Sequence, residues 1–590
     1  MRIKLIMIFV ISIVILLLSR VYFLSIKSNS YYEELSKRNY IKTIYTPTVR
    51  GNILDRNGVP LAINELGFRL YLEPHMRNAK NTEKLKKIIS DICNTFEKFD
   101  EEKLLKKYKK LDSPYRHDKI ELIEYIDYDQ FFPYYVKFNT MDNVTVKSAI
   151  KRKYPFKDIG AHILGYVGKA TKKDMKNNPI SAYTKIIGKT GLERYYNNKL
   201  QGTLGKKVVK VNALNQQIEV ISEVKPSTNN DIKISIDIEL QKYIHSIFKH
   251  KSGAIVVMNA KNGEILAAAS FPEFDNNIFS QGISTKEWNK IRTDLNHPFT
   301  NKLVNGLYPP GSVIKMGMAL SFLEHDLGPK FKVKCTGKLP LGRRNFRCWK
   351  LSGHGKVDYT KAIRESCDDF FYKGSLEIGI NKISTTLDKF GFGKKTGIDQ
   401  HNEFIGTNPN KAWKMKKYKM PWYIGETVVS SIGQGFIQVT PVQVARYTAS
   451  LTNGILPRPH FLLNKDAINN IDLHLNKKEL KMVQKAMLEV TTHKKGTATK
   501  YIKTKHKIKI AAKTGTAQVS NIDQNEKRRM KEKELAYFKR SHAWLTTYAP
   551  YNNPQYVVTV LVEHGGHGGS AAGAYVSKIY DKLIDMGYIK

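Results

Sequence analysis

After its first two dozen residues, this 590-residue chain has no apolar run long enough to cross a bilayer, which takes about 20 residues. A protein threaded repeatedly through a membrane is therefore excluded. Acidic residues are scarce beside basic ones, 53 against 97, and the net charge is +44. That surplus is spread along the whole chain and not gathered on one module, which argues against nucleic acid as a partner. It leaves a weaker attraction to anionic head groups or wall polymers. Cysteine is rare: Cys93, Cys335, Cys348 and Cys367 are the four present. No two form a Cys-x-x-Cys pair, so spacing alone carries little zinc signal. In an oxidising compartment Cys335 and Cys348 could instead pair as a disulfide, leaving Cys93 and Cys367 as thiols.

What is present begins with Arg2 and Lys4, followed by an apolar run from Leu5 to Leu18 and then Ser19, Arg20 and Val21 to Leu24. Basic residues ahead of the run favour a cytoplasmic N-terminus, and Arg20 near the far end can snorkel. No Ala-x-Ala cleavage pattern follows; Ser28-x-Ser30 is a weak substitute. The expectation is an uncleaved single-pass anchor over residues 1–24, with the rest outside the cytoplasmic (inner) membrane, in the periplasm.

The length allows two or more domains. Residues 25–235 read as a membrane-proximal module with charged helical stretches from Asn81 to Lys110, and 236–590 as a second domain. The boundary lies at Pro226 to Asn230. Ile232 to Asp237 alternates as a strand and leads into a helix from Leu240. Ala254 to Met258 and Glu264 to Ala269 flank a turn and predict a β-hairpin. Further strands are expected at Ala543–Tyr548 and Tyr556–Val562, and a helix at Ala574–Met586. Strands at both ends with helices between predict an α+β fold with an antiparallel sheet.

Three motifs lie in this second domain: Ser312-Val313-Ile314-Lys315, Ser366-Cys367-Asp368 and Lys513-Thr514-Gly515-Thr516. In a lysine-rich chain such strings recur by chance. Ser-x-x-Lys also occurs at Ser148/Lys151, Ser222/Lys225 and Ser246/Lys249, and Lys-Thr-Gly at Lys189 and Lys395. Local context selects among the copies. Tyr308-Pro309-Pro310-Gly311 stops the chain before Ser312, and a nearly all-apolar run follows, so a buried helix should start at the serine. Spacing i, i+3 puts Ser312 and Lys315 on one face. A lysine buried there loses solvation and becomes a base, while the helix N-terminus offers N–H groups to an oxyanion. Lys505 to Ala512 alternates polar and apolar ahead of Lys513 and reads as a strand. Ser366-Cys367-Asp368 sits between a helical stretch and an aromatic cluster, as a short loop against a core.

The three motifs in this order resemble the penicillin-binding and serine β-lactamase group. With Arg50 to Gly58, Gly188 to Glu193 and Leu200-Gln201-Gly202, which resemble pedestal signatures, essentially the whole chain is similar to class B penicillin-binding proteins. The resemblance implies a transpeptidase domain (236–590) on an elongated pedestal of the dimerisation type (25–235). It implies a serine D-Ala-D-Ala transpeptidase inhibited by β-lactams, with Ser312, Lys315, Ser366, Asp368 and Lys513 catalytic. Thr514, Gly515 and Thr516 would bind substrate, with N–H groups of Ser312 and Thr516 as the oxyanion hole. Asp368, where division-type relatives carry Asn, resembles the elongation-specific branch. Substrates would be a D-Ala-D-Ala donor and an amine acceptor from peptidoglycan stem peptides; partners would be a SEDS-type glycan polymerase and the rod-shape scaffold protein. Some members of that branch bind a structural zinc beside the second motif. By that resemblance Cys335, Cys348, His354 and Cys367 would be its ligands, with Cys replacing two Asp. The acyl transfer itself needs no cofactor. A division-type paralogue and a carboxypeptidase or β-lactamase hydrolase are the alternatives; no clear deacylating glutamate supports the hydrolase.

Overall fold

A computed structural model describes residues 2–27, 34, 40–115, 118–212, 217–228, 230–325, 327–463, 470–519 and 532–590. Ser28 and Ser30 of the weak cleavage pattern and Asn229 of the expected boundary lie outside these residues. The chain divides into two compact units.

The first unit comprises Met1–Gly51, Lys169–Ile187 and Asn198–Asp231. Its helix Arg2–Tyr22 runs on through a π-helical turn to Lys27, with no residue buried. Among the described residues it is the one helix long and apolar enough to cross a membrane. Strands Ile41–Thr46, Gly205–Val211 and Gln217–Val224 form an antiparallel sheet.

The second unit comprises Asn52–Gly168, Gly188–Asn197 and Ile232–Lys590. In its first part, strand Pro60–Leu72 pairs antiparallel with both Ile120–Asp127 and Val144–Lys153. Helices Ala79–Thr95 and Glu101–Leu111 join Leu70, Leu85, Ile92, Tyr108, Phe131 and Phe138 in one core. These helices cover most of the stretch expected from Asn81 to Lys110 and overrun it at both ends, starting at Ala79 and ending at Leu111.

The remainder is built on a five-stranded sheet. In chain order it contains α1 (Ile238–Phe248), β1 (Gly253–Asn259), β2 (Ile265–Phe271), α2 (Lys315–Glu324), α3 (Tyr359–Arg364), α4 (Asp368–Ile378), α5 (Pro441–Asn453), α6 (Lys477–Thr492), β3 (Ala511–Ala517), β4 (His542–Ala549), β5 (Tyr556–Val562) and α7 (Gly568–Asp585). The spatial order is β2-β1-β5-β4-β3, antiparallel throughout. The α+β fold is thus as expected, including the β1–β2 hairpin and strands β4 and β5.

Every residue of β4 is buried, because helices cover both faces. Successive side chains on a strand point to opposite faces. Thr546 meets Thr448 of α5 at 2.7 Å, and Thr547 meets Tyr580 of α7 at 3.0 Å. Helix α5 has strong end signals: Thr440 and Gln443 form a capping box, Pro441 opens it, and Gly454 closes it with φ +84°. These are the residue types that satisfy orphaned backbone groups.

Five expectations need correction. Only Ile232–Lys233 of the expected Ile232–Asp237 strand is a strand, and α1 starts at Ile238, two residues early, because Asp237 accepts from Glu239 and Leu240 N–H as an N-cap. Lys505 to Ile510 is not a strand: the backbone N–H groups of Lys503 and Lys505 bond Ser577 and Asp581 of α7, so β3 begins at Ala511. Helix α7 starts at Gly568, earlier than Ala574, since its glycines pack closely: a Cβ on Gly568 would lie 2.1 Å from the Trp544 carbonyl. Finally, Ser312 lies in a 3₁₀ turn, Gly311–Ile314, and the α-helix begins at Lys315.

Candidate functional site

The turn carrying Ser312 is locked against the end of β3. Gly311 has φ +54°, and a Cβ there would lie 2.8 Å from the Thr516 carbonyl. Its N–H donates to the Gly433 carbonyl at 2.9 Å. Only glycine meets both demands, left-handed backbone and close approach. Ser312 itself is half-buried, whereas Lys315 and the rest of the first two turns of α2 are buried.

Lys315 and Lys513 converge on Ser366. Lys315 Nζ donates to the Ser366 carbonyl at 3.0 Å, to Ser366 Oγ at 3.2 Å and to Asp368 Oδ1 at 2.7 Å. Lys513 Nζ reaches the same Oγ at 2.9 Å and the Thr514 carbonyl at 2.9 Å. Burial, and then the charge of Lys315, hold the Lys513 ammonium well below the ordinary lysine value, with Asp368 opposing them. Ser366 adopts φ +53°, unusual for a residue with a side chain. It lies between the end of α3 at Arg364 and the start of α4 at Asp368.

Two residues that sequence reasoning missed complete this arrangement. Trp349 N–H donates to Asp368 Oδ2 at 2.8 Å, and its indole N–H to the Ser366 carbonyl at 3.1 Å. Thr497 meets Thr514, hydroxyl to hydroxyl, at 2.8 Å. Neither stands in a motif; for Trp349, adjacency to Cys348 was the only signal. Gly515 is enclosed, since a Cβ would lie 3.0 Å from both Val313 and Trp544. Thus Ser312, Lys315, Ser366, Asp368, Lys513, Thr514, Gly515 and Thr516 come together, whereas the competing copies do not. Ser148 and Lys151 lie on a strand, Ser246 on α1, Lys189 before the short helix Gly191–Tyr195, and Lys395 in a loop.

Cys335, Cys348, His354 and Cys367 form a second cluster. All four are buried, and their ligand atoms lie within 4.8 Å of one another. His354 Nδ1 is 3.5 Å from the sulfurs of Cys335 and Cys348. All the cysteines are free, which removes the Cys335–Cys348 disulfide. Hydrogen bonds from Cys367 and then His354 outweigh burial and pull the Cys348 thiol below its usual range; Cys335 and Cys367 are pushed above theirs. Three sulfurs and one imidazole nitrogen, buried and convergent, are the donor set of a closed tetrahedral zinc site. Cys93 lies on another core and takes no part.

Residues 253–583 match the family model for the penicillin binding protein transpeptidase domain, and residues 45–234 that for the penicillin-binding protein dimerisation domain. The chain is similar to the peptidoglycan D,D-transpeptidase MrdA of Salmonella typhimurium, strain SL1344, with 33% identity over 97% of this chain and 93% of that protein. Among solved structures it is similar to the penicillin-binding protein PBP2 of Helicobacter pylori in its complex with MreC, with TM-score 0.85 and 42% identity over 94% of this chain and 100% of that one. It is also similar to a chain of a peptidoglycan synthase complex that coordinates polymerization and crosslinking, with TM-score 0.69 and 25% identity over 98% of this chain and 97% of that one.

Proposed function

The chain belongs to the penicillin-binding protein transpeptidases, and from that premise we propose a division of labour among its active-site groups. It is a peptidoglycan D,D-transpeptidase that cross-links stem peptides during wall elongation. The observation that carries the assignment of roles is the meeting of Lys315 and Lys513 at the Ser366 hydroxyl, 3.2 and 2.9 Å away.

Ser312 Oγ is the nucleophile. It attacks the carbonyl of the penultimate D-Ala and passes its proton to the Lys315 amine. That amine keeps two N–H bonds for Asp368 Oδ1 and the Ser366 carbonyl, leaving its lone pair for the serine. The C–N bond then breaks. Ser366 gives its proton to the departing D-Ala amine and regains one from Lys315. A hydroxyl that accepts from lysine on two sides keeps its own proton free to donate. The acyl-enzyme ester is next attacked by the acceptor amine, whose proton returns to Ser312 Oγ by the reverse path. Splitting the transfer in two is the gain of covalent catalysis. Thr514 and Thr516 hold the terminal carboxylate of the donor. Backbone N–H groups of Ser312 and Thr516 hold the oxyanion, and loss of one such donor typically costs about 3 kcal/mol.

Zinc belongs to the same reading. Held by Cys335, Cys348, His354 and Cys367, it would supply rigidity, since Cys367 stands between Ser366 and Asp368, and Cys348 precedes Trp349. The first helix serves as a single-pass anchor in the cytoplasmic membrane, with the basic N-terminus inside and the catalytic domain in the periplasm. Residues 25–235 act as pedestal and 236–590 as transpeptidase domain. Likeness to the MreC-bound protein and to the synthase complex supports a rod-shape scaffold and a SEDS-type polymerase as partners.

The test is the purified full chain with a D-Ala-D-Ala donor and an amine acceptor. Equal amounts of released D-Ala and new amide are expected. Release without amide would make the protein a carboxypeptidase.

A further inference from the structure

Thr497 touches the third motif from a loop that none of the three motifs includes. The loop follows α6 and is held tightly. Gly496 N–H donates to the His493 carbonyl at 2.7 Å, Ala498 N–H to Val490 at 3.0 Å, and Thr499 Oγ1 to His493 at 2.7 Å. There is no room to loosen it: a Cβ on Gly496 would lie 2.4 Å from the Val490 carbonyl, and one on Gly569 would lie 2.9 Å from that of Thr497. The Thr497 N–H spans to the carbonyl of Arg364, at the end of the helix leading to Ser366, at 3.3 Å. Its hydroxyl lies 2.8 Å from that of Thr514. One residue therefore ties the second-motif helix to the third-motif strand.

A hydroxyl carries one proton and two acceptor sites. If Thr514 donates to a substrate carboxylate, it cannot also donate to Thr497, so the proton in the 2.8 Å contact must come from Thr497. The β-branched side chains are stiff about χ1, and the anchored loop fixes the direction from which Thr497 donates. We infer that Thr497 is a positioning residue which, by donating to Thr514 Oγ1, turns the Thr514 proton toward the carboxylate of the substrate. This rests on the reading of Thr514 and Thr516 as the carboxylate site. Thr497 does not touch the reacting atoms; it sets the pairing between this enzyme and acids as opposed to neutral acyl donors.

The experiment compares acylation of the full chain in detergent by benzylpenicillin and by its methyl ester, which has the same lactam but no carboxylate. Native protein should prefer the acid. Thr497→Val, equal in shape but without the hydroxyl, should slow the acid by about tenfold, as expected for one hydrogen bond to a charged-group donor. It should leave the ester within about twofold. Thr497→Ser should restore the preference. The ester rate doubles as a check that the variant is folded. Equal slowing of acid and ester, or no change in either, overturns the inference and makes Thr497 a packing residue. Collapse of the preference in Thr514→Val with none in Thr497→Val overturns it while sparing the carboxylate site. No preference in native protein removes the carboxylate site and this inference together.

Discussion

Lys315 Nζ lies 2.7 Å from Asp368 Oδ1, and the second oxygen of that carboxylate takes the Trp349 N–H at 2.8 Å. The lysine side chain is wholly excluded from solvent and the aspartate is 11% exposed. An amide in place of the carboxylate offers one acceptor for these two donors and leaves the other unsatisfied in a buried site, at a cost of about 1–3 kcal/mol. Asp368→Asn is therefore expected to destabilise the full chain by about 2 kcal/mol in chemical denaturation. An unchanged midpoint would mean that these two contacts add nothing net to stability.

Ser312 is the nucleophile proposed for acylation. Mass spectrometry after penicillin treatment should find the adduct on the peptide containing Ser312, and none on Ser312→Ala. An adduct that persists in the variant would reassign the nucleophile.

Lys513 predicts a pH dependence. Its folded pKa is lowered by burial and by Lys315, whereas the unfolded value is about 10.4. Between the two, the unfolded chain binds more protons than the fold, so stability rises with pH and is lost as pH falls through that window. Lys513→Met cannot titrate and should show a shallower rise. Comparing urea midpoints at pH 7 and 9 checks this; parallel behaviour would mean that the buried lysine keeps its proton.

His162 makes an acid-side prediction. It is buried and donates from Nε2 to the Pro298 carbonyl at 2.7 Å. Burial lowers its pKa to about 4. The neutral form is favoured in the fold, so stability is full above the unfolded value near 6.5 and falls as pH drops toward the folded value of about 4. The loss approaches about 3 kcal/mol. His162→Gln retains a donor without titrating, so its melting temperature should fall less between pH 7 and 4.5.

Metal analysis of the full chain should find one zinc per molecule. Chelation should lower both melting temperature and penicillin acylation, because Cys367 adjoins Ser366 and Asp368. A stoichiometric zinc surviving in Cys367→Ser would remove that residue from the ligand set.

Much of the site was legible because its residues are punctuated locally. Pro309-Pro310-Gly311 before an apolar run singled out Ser312, and helix, break and aromatic cluster placed Ser366. The misreadings were of two kinds. Lys505 to Ile510 has a strand's alternation, but helix α7 holds the chain at its entry, Ser577 accepting from Lys503 N–H and Asp581 from Lys505 N–H. Ser312 precedes an α-helix, but contact of Gly311 with Thr516 and Gly433 tightens the first turn to 3₁₀. In each case a tertiary hydrogen bond or close approach overrode a local pattern.

By itself the sequence determined the candidate reactive groups, their order and the family, because these depend on residue identity and short-range spacing. It also held the four zinc-type donors, without showing that they meet. Only the tertiary structure decided that Lys315 and Lys513 reach one hydroxyl, that Trp349 braces Asp368, and that Thr497 stands behind Thr514. Spacing along a chain sets no distance between separate elements; packing of β3 beside α6 and the 3₁₀ turn Gly311–Ile314 does.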